Sequence, residues 1–184
     1  MKRKSFLKGT LGMAAAGALL GGNRVMGQEV KTPDCDKKLA GKNKFLAGWL
    51  TAWLGNMKNQ MPEAERARLI EENGRSCAAN HGLPAWAQSF HGDVDKFIAA
   101  MRPHLGENNI RRDGDKVTMI YDKCLCTLVG DIEGTLPGEY CLCTRGWTKA
   151  VYGALTGKVV QVDIKSSIKR GDPRCRIEID LSQT

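Results

Sequence analysis

Two Cys-x-Cys pairs, Cys124-Leu125-Cys126 and Cys141-Leu142-Cys143, carry the clearest chemical signal in this sequence. In an extended segment residues i and i+2 project from one face, so each pair can present two sulfurs together. The 14 residues between Cys126 and Cys141 include three glycines, enough freedom to fold back and bring the pairs to one place. Four convergent thiolates are the donor set of a tetrahedral soft-metal site, with zinc the first candidate. The same sulfurs could instead cross-pair as disulfides, each closing a loop of about 15 residues and contributing roughly 3 kcal/mol. They could also stay free as reactive or ligand-facing thiols. Spacing alone leaves these three alternatives open.

Three further cysteines surround this core of candidates. Cys77 and His81 are four apart in a helical stretch and share a face, so they could act as two ligands or as a nucleophile and its base. A small buried cysteine beside a terminal histidine is the plainer alternative. Cys175 falls on the inward face of the last strand by alternation, where it could complete a metal centre or simply be buried. Cys35 is the natural odd one out, because seven cysteines cannot all pair. His91 and His104 stand at loop or helix ends without a partner at a telling distance and are expected at the surface.

The N-terminus explains why so many cysteines could be oxidised. Met1 to Lys8 is basic, Leu11 to Leu20 is weakly apolar, and Val25-Met26-Gly27 places tolerable residues at the −3 and −1 positions of a cut before Gln28. These are the three parts of a signal peptide, so residues 1–27 are expected to be removed and 28–184 to form a single cysteine-containing domain. Arg3-Lys4-Ser5-Phe6-Leu7-Lys8 is similar to the twin-arginine export signal, with Lys4 in place of the second arginine. The export machinery is then a partner, and the destination is the periplasm or the medium, where cysteines usually pair. The apolar run is too short for a permanent membrane span.

Charge narrows the partners further. The chain has 28 Lys+Arg and 20 Asp+Glu, a net charge of +8. Lys2, Arg3, Lys4, Lys8 and Arg24 leave with the signal and no acidic residue does, which takes +8 to +3. The remaining basic residues are scattered pairs, so nothing resembles a nucleic-acid-binding stripe. There is no glycine-rich phosphate loop, no Gly-x-Ser-x-Gly elbow and no His-Glu-x-x-His, which argues against nucleotide enzymes, serine hydrolases and zinc proteases.

The elements that must position the cysteines divide into two halves. Leu39, Leu46, Trp49, Leu50, Trp53, Leu54 and Met57 form a helical stripe within 36–57. Pro62 opens a second helix expected to stop at Asn73-Gly74 with a left-handed cap, followed by a short helical piece over 75–81 closed by Gly82. A third helix is expected from an Asp93 N-cap to Pro103 and Gly106. Asp113-Gly114 then signals a hairpin between segments around Ile110 and 116–121. After the Cys-x-Cys pairs comes a helix through Trp147, Val151 and Leu155, capped by Gly157. Val160, Val162 and Ile164 are expected to pack with Cys175, Ile177 and Ile179 in a second hairpin, whose turn is fixed by Asp172. The reading is α+β: a helical N-terminal half packed on a hairpin–helix–hairpin C-terminal half.

Several of these segments resemble a known type of domain. Cys141-Leu142-Cys143 before a helix, Gly157-Lys158-Val159-Val160 entering a strand, and Gly171-Asp172-Pro173-Arg174-Cys175-Arg176-Ile177 are similar to the 4-vinyl reductase type of small-ligand-binding domain. They are more similar still to bacterial proteins labelled L-2-amino-thiazoline-4-carboxylic acid hydrolase-like. The resemblance spans roughly 110–181, with Gly74-Arg75-Ser76-Cys77 as an upstream match. It implies an α+β domain enclosing a pocket between sheet and helices, with cysteines near its mouth. Two positions depart from that pattern: Ser167 stands where a cysteine precedes the Gly-Asp turn, and Ile177 replaces an aromatic residue.

Three functions follow from these observations. The first is an exported domain that binds a metal or small ligand through its cysteine cluster. The second is a cysteine-dependent hydrolase of a small amide- or thiazoline-like substrate, using Cys77 and His81. The third is a disulfide-stapled structural or accessory protein.

Overall fold

The computed structural model describes residues 33–182, and the expected signal peptide, residues 1–27, lies outside them. The chain runs α1 (Pro33–Gln60), α2 (Glu63–Asn80), α3 (Leu83–Gln88), α4 (Val94–Leu105), β1 (Ile110–Asp113), β2 (Lys116–Tyr121), α5 (Leu142–Thr156), β3 (Gln161–Ser166) and β4 (Cys175–Asp180). The strands form one antiparallel sheet in the order β1-β2-β4-β3, so the two hairpins join through β2 and β4. This is the expected α+β arrangement, helices first and a helix between two hairpins. No helix among the described residues is long and apolar enough to cross a membrane.

Alternation along the strands builds the main core. Val162 pairs with Ile179 and Ile164 with Ile177, while Val117 and Met119 of β2 pair with Ile179 and Ile177 from the other side. Phe97 and Ile98 of α4 and Val151, Tyr152 and Leu155 of α5 cover that face. A second cluster gathers Leu50 and Leu54 of α1, Ile70 of α2 and the loop residues Val129, Ile132 and Leu136. The α1 stripe is therefore covered mainly toward its C-terminal end; Leu39 and Trp49 remain about half exposed, at 49% and 52%.

Local signals for α4 and the turns hold. The Asp93 side chain accepts the Lys96 N–H at 3.0 Å, and Gly106 caps the far end with φ of 100°. Gly157 closes α5 in the left-handed region. Asp172 accepts the Ser167 N–H at 2.7 Å across the β3–β4 turn.

One expected boundary is corrected. α2 does not stop at Asn73-Gly74 but continues to Asn80, and residues 75–81 belong to it rather than to a separate piece. Gly74 serves close packing instead of capping. A Cβ there would fall on the Cys143 carbonyl, and a Cβ on Gly146 of α5 would fall on the Glu71 carbonyl. The two helices cross with their backbones nearly touching, which only reciprocal glycines allow. Glu71 secures the crossing by accepting from Arg145 Nε at 2.6 Å and Lys149 Nζ at 2.9 Å.

Candidate functional site

The crossing of α2 and α5 sets the wall of a cavity of about 460 Å³. Its other walls are the end of α4, the loop after β2, and the ends of β3 and β4. Met101, Leu105, Trp147, Ile164 and Ile177 make much of it apolar. Cys77, Cys124, Cys126, Cys141, Cys143 and Cys175 all line it, and all six are free thiols. His81 lines it as well. Cys35 lies in the first turn of α1.

The two Cys-x-Cys pairs arrive by different routes. Cys124 and Cys126 sit in the loop after β2, which folds back because Val129 and Gly130 donate their N–H groups to the Cys126 carbonyl at 3.3 and 2.6 Å. Gly130 permits this turn: a Cβ there would stand 2.8 Å from the Cys126 carbonyl oxygen and 3.0 Å from that of Cys124. The second pair is not extended, which corrects the shared-face expectation for it. Cys141 ends a short 3₁₀ turn over Gly138–Cys141 and Cys143 lies in the first turn of α5. Residues two apart on a helix do not face each other, so these sulfurs diverge. Arg66, buried in α2, fastens that turn by donating to Glu139 at 2.7 Å.

Each thiol consequently has its own surroundings. Cys141 is buried with its sulfur 3.0 Å from Ser167 Oγ. Cys126 lies 3.5 Å from the Tyr140 hydroxyl. Cys175 stands opposite Tyr121 in the sheet, and its sulfur accepts the Ile168 N–H at 3.5 Å. Cys77 is exposed at the mouth, and no hydrogen bond joins its thiol to the His81 ring among the described residues. His81 instead ends α2, its backbone N–H bonded to the Cys77 carbonyl at 3.2 Å.

Burial governs the electrostatics. It pushes the Cys143 thiol up to about 11, with the neighbouring Cys126, Cys77 and Cys141 adding to the shift. Burial also raises Cys124, although a backbone N–H at Cys126 and the charge of Lys169 pull the other way. Cys141 is raised by burial despite its bond to Ser167. Tyr140 and Tyr121 are raised for the same first reason. At neutral pH these groups are protonated, so this part of the wall is neutral and polarisable.

Among the described residues no three His, Cys, Asp or Glu side chains are grouped so as to hold a metal ion. The sulfurs of Cys124, Cys126, Cys141, Cys143 and Cys175 line one cavity without being so grouped.

Two lining residues escaped the sequence reading. Thr148 of α5 is fully buried, and its Oγ1 has no hydrogen-bond partner among the described residues. Lys169, in the 3₁₀ turn Ile168–Arg170 after β3, is 3% exposed. Thr148 falls one residue from the Trp147 stripe, and Lys169 stands beside Arg170 as one of the scattered basic pairs; neither has a local signature of burial.

The fold and site define an α+β domain with a thiol-lined cavity between helices and sheet. The chain belongs to the family described as Family of unknown function (DUF6144), whose model matches residues 93–184, half of the chain. No curated protein matches it. Among solved structures it is similar to a trafficking protein particle complex subunit 3 from Naegleria fowleri covalently bound to palmitic acid, with 18% identity and a TM-score of 0.48 over 77% of this chain and 96% of that one. It is also similar to the phenol-responsive sensory domain of the transcription activator PoxR with phenol, with 15% identity and a TM-score of 0.42 over 77% and 73% of the respective chains.

Proposed function

We propose that this protein is an exported binding domain for a small, largely apolar ligand held in the thiol-walled cavity. The observation that carries this reading is the cavity of about 460 Å³ itself, whose lining joins Met101, Leu105, Trp147, Ile164 and Ile177 to thiols that burial keeps protonated. The cavity volume lies within the range of about 300–1,000 Å³ typical of small-molecule sites, and the predominantly apolar lining suits the body of such a ligand. The similarity of 141–143 and 171–177 to 4-vinyl reductase-type domains supports the same reading.

Displacement of the neutral dye Nile red by decanol tests it. Saturable one-to-one uptake is expected for the native protein, and Ile164→Trp, which fills the cavity, should abolish it with the circular dichroism unchanged. Absence of saturable uptake by the native protein would overturn the reading. Export belongs to the proposal too: a processed chain beginning near Gln28 should appear in the periplasmic fraction, and full-length precursor confined to the cytoplasm would remove that part.

A cysteine-dependent hydrolase is the second reading, favoured by Cys77 and His81 sharing the mouth of an apolar cavity. It requires the Cys77 thiol and the His81 ring to come into hydrogen-bond contact when substrate binds. Hydrolysis of a thiazoline or small amide, lost in both Cys77→Ala and His81→Ala, would establish it.

A further inference from the structure

Lys169 is the one charged residue among the cavity-lining residues that is fully buried, at 3% exposure. Its main chain is locked: its N–H donates to Ser167 Oγ at 3.2 Å, and its carbonyl accepts the Leu136 N–H at 2.8 Å. An ammonium has three hydrogens to donate. The only acceptor Lys169 Nζ meets among the described residues is the Ile132 carbonyl. No carboxylate there forms an ion pair with it, and no aspartate or glutamate lines the cavity. The alternative counter-charge, a Cys124 thiolate, is opposed by burial of that thiol. Arg170, next in sequence, is engaged with the Gly138 and Ile164 carbonyls and adds positive rather than negative charge. A buried cation without an anion is strongly disfavoured unless something supplies one.

We propose that Lys169 receives the anionic head of a monoanionic amphiphile whose apolar body fills the cavity, a medium-length alkyl carboxylate being the simplest member of the class. This rests on the reading of the cavity as a binding site and adds the charge of its ligand. The head group would complete the ammonium's hydrogen bonding and neutralise it. The alkyl body would lie along Met101, Leu105, Ile164 and Ile177.

The test compares decanoate with decanol, which share a chain and differ in the head, by calorimetric titration of the purified full chain at neutral pH. Decanoate should bind about tenfold more tightly than decanol, or better. Lys169→Met should weaken decanoate by a similar factor, leave decanol unchanged or improved, and raise the melting temperature. Decanol binding as tightly as decanoate in the native protein would overturn the proposal while leaving the cavity reading intact; binding of neither would sink the cavity reading itself. Should Lys169→Met not fold, the carboxyl ¹³C shift of labelled decanoate bound to native protein decides. Titration well below the free acid supports the contact with Lys169, and titration at or above the free value overturns it.

Discussion

Cys141 and Ser167 meet inside the core with sulfur and hydroxyl oxygen 3.0 Å apart, and the Cys175 sulfur lies 4.0 Å from the same oxygen. Ser167 thus sits between two thiols, at the position where the resembling domains carry a cysteine. The substitution Ser167→Cys would place three sulfurs around one small volume, approaching the donor set of a thiolate metal site. The variant is expected to bind one cadmium ion, seen as the ultraviolet thiolate-to-metal band, with affinity rising as pH increases because each bound thiol must lose its proton. No band in the variant would show that these three positions do not converge.

The Gly74–Gly146 crossing makes an opposite prediction for two glycines in helices. Gly74→Ala drives a methyl group into the Cys143 carbonyl, and backbone cannot move aside cheaply. Destabilisation of about 3 kcal/mol or more is expected in urea unfolding. Gly55→Ala in α1 has nothing within 4 Å of the new methyl and is exposed, so it should stabilise by about 0.5–1 kcal/mol. Equal effects at both would contradict the close approach of α2 and α5.

Glu71 gives the fold an acid-sensitive clasp. Burial acts to raise its pKa, but the hydrogen bonds from Lys149 and Arg145 outweigh it and hold the carboxyl below the ordinary glutamate value. A depressed folded-state pKa contributes stability that is full above the unfolded value and is lost as pH falls through the folded one. The urea midpoint should therefore drop as pH falls below the ordinary glutamate range. Glu71→Gln should be less stable at neutral pH and lose that part of the acid dependence. Parallel curves for the two proteins would deny the clasp.

The sheet faces can be checked with two charges placed on opposite faces of one strand. Ile179 is 1% exposed between Val117 and Val162, so Ile179→Asp should cost about 4 kcal/mol or more and prevent folding. Arg176 is exposed and bonds to Glu178 along its own strand. Its replacement, Arg176→Asp, should change the melting temperature little, since an exposed pair contributes only about 0–1 kcal/mol.

What the sequence made legible, and what it did not, follows from how local each cause is. The Asp93 cap, the hairpin turn after Asp113, the Gly157 cap and the Asp172 turn are decided within a few residues, and each could be read directly. Gly74 could not, because a glycine that ends a helix and one that admits another backbone look alike until the second helix is known. Cys141-Leu142-Cys143 is too short to declare a period, so an extended pair and the opening of a helix were indistinguishable. Cys77, Cys124, Cys126, Cys141, Cys143 and Cys175 all line the cavity, yet Thr148 and Lys169 were hidden. Lys169 is held by Ile132 and Leu136 of the loop before α5, and Thr148 sits on the helix that crosses α2, so both are buried by segments distant in sequence.

Thiol reactivity offers the last prediction and separates the readings of the cysteine cluster. The thiolate is the form that alkylates, so rate follows both exposure and acidity. Cys77 is exposed at the cavity mouth, whereas Cys141 is buried and Cys143 is held near 11. Iodoacetamide at neutral pH, followed by peptide mass spectrometry, should modify Cys77 well ahead of Cys124, Cys143 and Cys141. Occupation of the cavity by decanol should slow Cys124 and Cys143 further and leave the fully unfolded protein's rates untouched. A hydrolase acting through Cys77 would add one feature that exposure alone cannot produce: a Cys77 rate that falls when His81 is changed to Ala. If His81→Ala leaves the Cys77 rate as it was, the histidine is not its base, and the cysteines serve the cavity as walls. If instead Cys141 or Cys143 alkylates ahead of Cys77 in folded protein, the burial that defines the site is wrong.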